Sequence, residues 1–510
     1  MVPTVPRHPV TKAGAVAAVV VLLLAASGSG RFARAATSTE TRPNSVTVAV
    51  ANTIPSLDPV LTDNATQVMD SIFDHLVQIS PKGKLVPQLA MSWTHNANST
   101  TWTFTLRPNA RFSNGSAVTI QDVLYSFRAV RGNPKALIQG DILPMKTIKQ
   151  SGANQVQFRL SIPYSSWPAQ VIGVCIVPQK TYTSLGAAAF GRKPVGSGPY
   201  KVASYNGTSV RLEANRYYWG QKPAFKFVTV IPTLDQTARL SGLESGSLDL
   251  APLVPAQASL ARKHRNLRVV SAPGNQVVYL GFNIKNAPLD KVSIRQAIDY
   301  AIDRSGIIKT IMQGEGTPVG QMVAPVTFGY VPTIAPTPFD AAKAKSLLAK
   351  AGYKGETIPF SYPTDFQIPF ENEIAQAIQG ELSQVGLNVK LQGSTTNTFI
   401  GDWQGRRFPG IYMFSWAPSS MDADAILQGS YLPSSGVSYF TDPQIDKLTT
   451  QSEAQADPKR RLALIAQIWK VSKANVYYAP LFYSVNVYGM VKWLTYPGRA
   501  DTYVVAQNIR

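Results

Sequence analysis

Two carboxylates in the last quarter of the chain form the pair that is best spaced for acid and base chemistry. Asp422 and Asp424 lie in the polar segment that follows the apolar strand pattern Ile411–Trp416. Paired carboxyl groups can act as general acid and general base on a glycan or an ester. The same spacing at the start of a helix is typical of capping, in which a carboxylate binds backbone N–H groups. The pair leaves both interpretations open.

Residues for nucleophilic or metal chemistry are scarce. The sequence contains no G-x-S-x-G elbow and no S-x-x-K pair, which many serine hydrolases require. His75, His95 and His264 are too far apart for a metal-binding motif. The single cysteine, Cys175, lies in an apolar run, which favours an inert buried thiol. We therefore expect no catalytic residue, metal site or cofactor, and a protein that is not an enzyme.

Aromatic side chains are plentiful by comparison. The chain has 8 tryptophans and 21 tyrosines. Aromatic rings provide contact area for a ligand at a small entropic cost, although most aromatic residues in strands belong to a core. Those in the last third include Trp403, Trp416, Tyr477, Tyr478, Tyr483 and Tyr488. Binding without chemistry is the function that this inventory favours.

Alternating strand and helix patterns must position these side chains. Residues 101–107 and 155–160 alternate with period two, and residues 119–130 form a helix pattern with Thr119 as cap. Apolar residues at i, i+3, i+4, i+7 and i+8 from Ile294 predict a second helix, capped by Ser293 or Asp290. The order of elements predicts an α/β fold with a partly parallel sheet. Ligands of such sheets bind beyond the carboxyl ends of strands, which directs attention to residues 416–424.

The length of the chain and its net charge limit the number of domains and the kinds of partner that we expect. A chain of 510 residues is expected to form two or three domains. Its net charge of +20 would suit a nucleic acid, but the basic residues are scattered and the densest group, residues 262–265, is short. We expect no nucleic-acid partner. An anionic envelope surface or an anionic ligand is the alternative that the charge favours.

The first residues have the order of a secretory signal peptide. Arg7 and Lys12 precede the apolar residues 13–26, and Ala33-Arg34-Ala35 completes an A-x-A site with expected cleavage after residue 35. A membrane anchor is the alternative, but the apolar run is shorter than the roughly 20 residues that a spanning helix needs. Cys175 is far from this site, so the lipid-modified cysteine of lipoproteins is missing. A free periplasmic protein is expected.

Several blocks resemble the large solute-binding receptors of peptide and nickel ABC importers, known as family 5. The most recognisable is LGFNIKNAPLDKVSIRQAIDYAIDR at residues 280–304. The others follow in family order across nearly the whole mature chain: residues 89–130, which contain SWTHNANSTTWTFTLRPNARFSNGSAVTIQDVLYSF, then PVGSGPY (194–200), NRYYWGQKPAF (215–225), ARLSGLESGSLDL (238–250), FDAAKAKSLLAKAGY (339–353) and TDPQIDKL (441–448). The chain is identified as a member of this family.

The resemblance implies a type II periplasmic binding protein fold, in which two hinged lobes close on a solute. After the signal peptide at 1–35, the expected segments are 36–88 and 178–276 in lobe I, a small inserted α+β domain at 89–177, lobe II at 277–477, and a return to lobe I at 478–510. Residues 277–283 would border the hinge. The implied partners are a small-molecule or peptide ligand and an inner-membrane permease with its ATPase, and we expect a monomer.

One departure from the family pattern concerns the ligand. In peptide-binding members of the family, the corresponding segment resembles W-x-A-D-Y, and its aspartate pairs with the peptide's α-amino group. In this chain Ser419 stands at the position of that aspartate. A hydroxyl is a weaker partner for a buried ammonium, so Asp422 or Asp424 would have to substitute. We predict a small polar solute, a peptide or peptide-like compound, bound around Asn52, Thr53, Gln276, Trp416, Ser419, Asp422, Tyr483 and Asn486.

The alternatives are other kinds of solute and other kinds of protein. The solute could instead be an opine, an oligosaccharide, a glutathione-like compound or a metal chelate. An exported hydrolase that uses Asp422 and Asp424 is the competing enzyme, and a structural or chaperone-like envelope protein is the third class.

Overall fold

The computed structural model describes residues 43–61, 66–365 and 368–510. The expected signal peptide at residues 1–35 lies outside these ranges, so its cleavage stays a prediction. The described strands are β1 (Ser45–Val50), β2 (Val77–Ile79), β3 (Leu85–Pro87), β4 (Ala90–His95), β5 (Thr101–Leu106), β6 (Met145–Gly152), β7 (Gln155–Leu160), β8 (Tyr200–Tyr205), β9 (Val210–Ala214), β10 (Phe227–Pro232), β11 (Leu250–Leu253), β12 (Leu267–Phe282), β13 (Gly316–Pro318), β14 (Ile358–Pro363), β15 (Val389–Ser394), β16 (Ile411–Trp416) and β17 (Tyr478–Val491).

The described helices are spread along the same chain. They are α1 (Thr66–Ile72), α2 (Ile120–Arg131), α3 (Trp167–Gln170), α4 (Gln179–Phe190), α5 (Gln236–Ser245), α6 (Pro255–Lys263), α7 (Val292–Ala301), α8 (Arg304–Thr310), α9 (Ala341–Ala351), α10 (Glu371–Gln384), α11 (Thr396–Gln404), α12 (Asp424–Ile426), α13 (Pro443–Ala454) and α14 (Pro458–Asn475).

One large mixed sheet runs through most of the described chain. Its order is β15-β14-β16-β12-β17-β11-β1-β10-β9-β8, with β13 paired to β17 outside this path. β1 is parallel to β10 and β11, and β14 is parallel to β15 and β16. The long strands β12 and β17 are antiparallel to each other and to their other neighbours β16 and β11. The expected α/β fold with a partly parallel sheet is confirmed.

β12 and β17 join the two sides of this sheet. The second half of β12, Val277–Phe282, is buried along its whole length, which is typical of a central strand covered on both faces. The strand is much longer than the pattern at residues 279–283 predicts, and most of its first half is half-exposed or exposed. The pairing with β17 breaks between Pro273 and Val277 and resumes with the next pair, Val277 and Tyr483.

A separate antiparallel sheet of order β4-β5-β7-β6 lies within residues 90–160. Trp102, Phe104 and Leu106 of β5 are buried and alternate with half-exposed threonines, as the period-two pattern predicts. This sheet falls inside the expected small domain at 89–177. The expected boundaries of that domain and of the two lobes stay predictions.

Helix ends show which capping predictions are correct. Thr119 caps α2 in a capping box, in which its hydroxyl accepts from Asp122 N–H and the Asp122 carboxylate accepts from Thr119 N–H. The predicted cap of α7 is wrong, since Lys291 occupies that position and no side chain caps the helix. Instead Arg295 Nη1 donates to the carbonyls of Leu289 and Asp290 and holds the chain that leads into the helix.

Candidate ligand-binding cleft

Gln276 occupies the break in the β12–β17 pairing and bridges three strands. Its Nε2 donates to Ser415 Oγ of β16 at 2.9 Å, and its Oε1 accepts from Ser484 Oγ of β17 at 3.2 Å. The preceding residue, Asn275, donates through Nδ2 to the Pro418 carbonyl at 2.9 Å. The residues at this break in the pairing thus hold the loop that follows β16 against the centre of the sheet.

Two cavities adjoin at this point. The larger has a volume of about 680 Å³ and the smaller about 510 Å³. Both are lined by Asn52, Gln276 and Thr502, so we treat them as one cleft. Asn52 follows the carboxyl end of β1, and the loop that enters the smaller cavity follows the carboxyl end of β16. The expected location of a ligand beyond strand carboxyl ends therefore agrees with the cavities. Their volumes are in the range of small-molecule sites.

Several distant parts of the chain line the larger cavity. Asn486 of β17 lines it, and Asn486 Nδ2 donates to the carbonyls of Arg499 and Ala500 at 2.8 and 3.1 Å. The first turn of α6, with Gln257, and the start of α10, with Glu371, lie on other walls. Glu315, before β13, completes it.

The smaller cavity lies between the loop after β16 and residues of the first segment. Ser419 and Ser420 line it from one side, with Asp70 and His75 on another. His75 is buried, and its Nε2 lies 3.3 Å from Asp70 Oδ1 and 3.8 Å from Cys175 Sγ, while its Nδ1 contacts the Ile172 carbonyl. Burial by itself lowers the pKa of His75, but Cys175 and Asp70 outweigh it and raise that pKa well above its ordinary value.

The structure brings together four of the eight predicted site residues. Asn52, Gln276, Ser419 and Asn486 line the cleft. The other four do not line either cavity. Thr53 is exposed beside Asn52. Trp416 packs against Trp403 with ring centroids 6.0 Å apart, and Tyr483 packs beside Val277 within β17.

Asp422, the fourth, is engaged in a buried ion pair. Both of its carboxylate oxygens accept from the Arg461 guanidinium, from Nη1 and Nη2, at 2.6 Å each. One of those oxygens also accepts from Asp424 N–H at 2.9 Å. Asp424 is fully buried, accepts from Ser166 Oγ and Gln428 Nε2, and has its pKa raised by burial. The two carboxylates therefore have a structural role and not the acid–base role that the sequence also left open. Neither of them lines the cleft.

Several cleft residues carry no local sequence signal. His75 lies just beyond α1, which ends at Ile72, and its imidazole turns towards Asp70. Gln257 lies in an ordinary helix, and Glu315 follows a short turn. Their positions depend on contacts across the fold, which periodicity cannot report. Cys175 is buried and free, as its apolar surroundings predict.

The described residues contain neither a metal-binding group of side chains nor a helix that could span a membrane. Residues 43–61, 66–365 and 368–510 include no group of three or more His, Cys, Asp or Glu side chains that could hold a metal ion. In the same part of the chain, no helix combines the length and the apolar character needed to cross a bilayer.

A cleft that lies beside the two long central strands β12 and β17 and is lined by both polar and apolar groups is the arrangement of a solute-binding protein. The family described as bacterial extracellular solute-binding proteins, family 5 (middle region), matches residues 84–437, and the chain belongs to this family. The nickel-binding periplasmic protein of Escherichia coli strain K12 is 26% identical over 480 residues, 86% of this chain and 89% of that protein. Glutathione-binding protein GsiB of Salmonella typhi is 26% identical over 457 residues, 84% and 87% of the two chains.

The fold comparison agrees with the family. The structure of HbpA2 from Haemophilus parasuis matches with a TM-score of 0.82 at 21% identity and covers 91% of this chain and 99% of that chain. The fold is that of type II periplasmic binding proteins. The protein is thus a solute-binding receptor of an ABC importer, in a family of binding proteins whose members work with permease complexes.

Proposed function

We propose that this receptor captures a small polar organic solute, a peptide or peptide-like compound, in the cleft around Gln276 and delivers it to an inner-membrane permease. The observation that carries the proposal is the pair of adjoining cavities that share Asn52, Gln276 and Thr502. Backbone and amide groups from β1, β12, β16 and β17 meet there, which suits the many hydrogen bonds of a peptide-like ligand. In the proposed cycle the segments on either side of β12 and β17 act as two lobes.

A non-peptide solute is the second candidate, and one observation favours it. Ser419 lines the cleft where peptide-binding relatives would carry an aspartate, and Asp422 is held by Arg461. An opine, an oligosaccharide, a glutathione-like compound or a metal chelate would not need that carboxylate. The hydrolase alternative requires Asp422 and Asp424 to reach a substrate. Both are buried away from the two cavities, so this alternative is not favoured.

The export route is proposed from sequence. Cleavage after residue 35 would release a free periplasmic monomer, because the residue directly after that site is Ala36 and not a cysteine that could receive a lipid anchor. Intact mass of the exported protein would report both cleavage and the absence of a lipid.

Native mass spectrometry of freshly exported protein tests the ligand proposal. We expect a co-purified adduct of small-molecule mass that is lost on unfolding and restored by the isolated compound. Asn52→Ala should weaken that binding, because Asn52 is exposed and lines both cavities. Thr53→Ala is the matched control, since Thr53 is exposed and lines neither. A protein that binds no compound from a complete extract of its host's growth medium would contradict the receptor role.

A further inference from the structure

Residues 89–177, which include the small four-stranded sheet, are strongly basic. They contain eight lysines and arginines against two acids, Asp122 and Asp141. Asp122 is buried, where its carboxylate takes part in the capping box of α2, and Asp141 lines the smaller cavity of the cleft. Apart from Asp141 at the cleft, the surface of this segment thus exposes charges of one sign.

Five of the basic side chains lie along the outer strand of the sheet. Arg128 and Arg131, at the end of α2, line a groove of about 570 Å³ together with Lys146 of β6, and no acidic side chain of the described residues lines it. Arg159 of β7 pairs with a residue of β6 two positions before Lys149, so that these two cations share the other face of the sheet. We call these five side chains the basic edge.

The cations of the basic edge are not paired with carboxylates. The ion pairs within the described chain join other side chains. Arg128 Nη2 donates to the Ile148 carbonyl of β6 at 3.1 Å, which is a neutral partner. Arg131 is half-exposed, and the other four are exposed. Their charge is therefore available to an external anion.

Local effects explain parts of the basic edge. Basic side chains at the carboxyl end of a helix are favoured by its dipole, which accounts for Arg128 and Arg131. Lysines on an edge strand hinder pairing with other chains, which accounts for Lys146 and Lys149. Neither effect explains Arg159 on the inner strand β7, nor why the helix and the strand place their cations around one groove.

Two exposed apolar side chains adjoin the basic edge. Ser161 N–H donates to the Pro144 carbonyl at 2.8 Å, which brings the neighbouring residues Leu143 and Ile162 together. Leu143 is 50% exposed and Ile162 is 41% exposed. Each lies three residues along the chain from a member of the basic edge. A soluble polyanion has no use for apolar side chains, whereas a lipid surface takes them into its interface.

We propose that the basic edge, together with Leu143 and Ile162, docks on the surface of an anionic lipid membrane. The negative headgroups attract the cations, and the apolar pair enters the interface. This contact keeps the receptor close to a membrane-bound permease without a lipid anchor, in agreement with Ala36 directly after the expected cleavage site. It uses a surface other than the cleft, so it does not depend on which solute binds.

Co-sedimentation of the exported protein with lipid vesicles tests this docking. One set of vesicles contains phosphatidylcholine alone, and the other contains equal parts of phosphatidylcholine and phosphatidylglycerol. We expect binding to the mixed vesicles that weakens as salt is raised, because salt screens the charges, and no binding to the neutral vesicles. Equal binding to the two sets, or none to the mixed vesicles, would overturn the docking.

Reversal of two charges tests the basic edge itself. Lys146→Glu with Lys149→Glu should weaken binding to the mixed vesicles at least about tenfold, because each basic side chain near an anionic surface adds to the attraction. Lys345→Glu with Lys350→Glu is the matched control, since both lysines are exposed on α9 and the change in net charge is the same. Equal losses in the two double variants would show that net charge drives the binding and would refute a docking surface at the basic edge.

The apolar side chains distinguish a membrane from an acidic macromolecule. Leu143→Ser should weaken vesicle binding several-fold, whereas Leu185→Ser, at a site on α4 that is 47% exposed, should not. Polyglutamate is the soluble probe and should bind more weakly than the mixed vesicles. If Leu143→Ser has no effect, or if polyglutamate binds as tightly as the vesicles, the partner is an acidic macromolecule and the membrane docking is wrong.

Ligand capture is measured on the same variants. All of them should retain the solute adduct in native mass spectrometry, because none of the substituted residues lines the cleft. Loss of vesicle binding with the adduct retained therefore supports the docking surface. Absence of an adduct in the unsubstituted protein would contradict the receptor role and leave the vesicle result unaffected.

Discussion

Asp422 and Arg461 form a buried, two-pronged ion pair. Arg461 is 4% exposed and its side chain also lies over the Phe328 ring at 4.9 Å. Burial lowers the pKa of Arg461, but Asp422 outweighs burial and raises it. Two carboxylates at positions 422 and 424 are thus held near one guanidinium, and the segment after β16 is fixed to α14.

Removal of this guanidinium should destabilise the protein. Arg461→Met leaves Asp422 and Asp424 buried without a cation, so we expect the free energy of unfolding to fall by about 3–5 kcal/mol. Urea unfolding measures it. Arg460→Met is the matched control, since Arg460 is the exposed neighbour on the same helix, and it should change stability by less than about 0.5 kcal/mol. Equal effects of the two substitutions would contradict a structural role for the pair.

The burial of Asp74 should make the stability of the protein depend on pH. It is fully buried, and its carboxylate accepts from Gln88 Nε2 at 2.9 Å and Trp219 Nε1 at 2.8 Å. Desolvation outweighs these hydrogen bonds and raises the pKa of Asp74 from 3.8 to about 6. Because the folded pKa lies above the unfolded pKa, the protonated carboxyl stabilises the fold at low pH. That stability is lost as pH rises from about 4 to about 6.

Asp74→Asn should flatten this part of the pH profile. The difference between wild type and variant should change by up to about 3 kcal/mol between pH 4 and 7, measured by urea unfolding. Glu381 and Glu453, whose pKa values burial raises to about 7, titrate in both proteins and cancel in the comparison. Parallel profiles of the two proteins would mean that Asp74 does not titrate in this range.

At the scale of elements, the contact between β12 and β16 depends on a glycine. Gly281 pairs with Tyr412, and the tyrosine ring crosses the glycine so closely that an added Cβ would lie 2.1 Å from Tyr412 Cζ. Tyr412 is buried and packs on Phe408 and Tyr439, so its ring has no room to move away. β12 can approach β16 at this point because residue 281 has no side chain.

Gly281→Ala should therefore be destabilising, by about 1–3 kcal/mol from overpacking. Thermal and urea unfolding measure the change. Gly380→Ala is the matched substitution in α10, where a Cβ would meet nothing within 4 Å, and it should stabilise the protein by about 0.4–1 kcal/mol. A tolerated alanine at 281 would indicate that β12 and β16 separate easily at this end of the hinge strands.

At the scale of the whole molecule, β12 and β17 connect the two sides of the large sheet and pass the cleft at Gln276 and Asn486. A ligand that contacts both sides of a hinge favours the closed arrangement by its differential affinity. Saturating ligand should therefore reduce the radius of gyration in small-angle X-ray scattering and raise the melting temperature. A rise in melting temperature without contraction would indicate binding to one lobe only.

Sequence by itself determined the features that depend on near neighbours. The Thr119 cap of α2 and the strands β5 and β7 follow from hydrogen bonds and periodicity within a few residues. The family blocks determined the class of protein, because they preserve the order of such elements along the chain. Of the four predicted site residues that line the cleft, Asn52 and Ser419 follow strand ends, which local patterns can place.

Only the tertiary structure decided which charged groups meet. Arg461 reaches Asp422 from 39 residues away, and His75 contacts the carbonyl of Ile172, 97 residues away. No local pattern encodes such contacts, because their energies depend on burial and distance after the chain has folded. For the same reason the charged groups that line the cleft could not be predicted from a chain with a net charge of +20. Net charge is a sum over all residues, whereas a ligand responds to those that folding places around it.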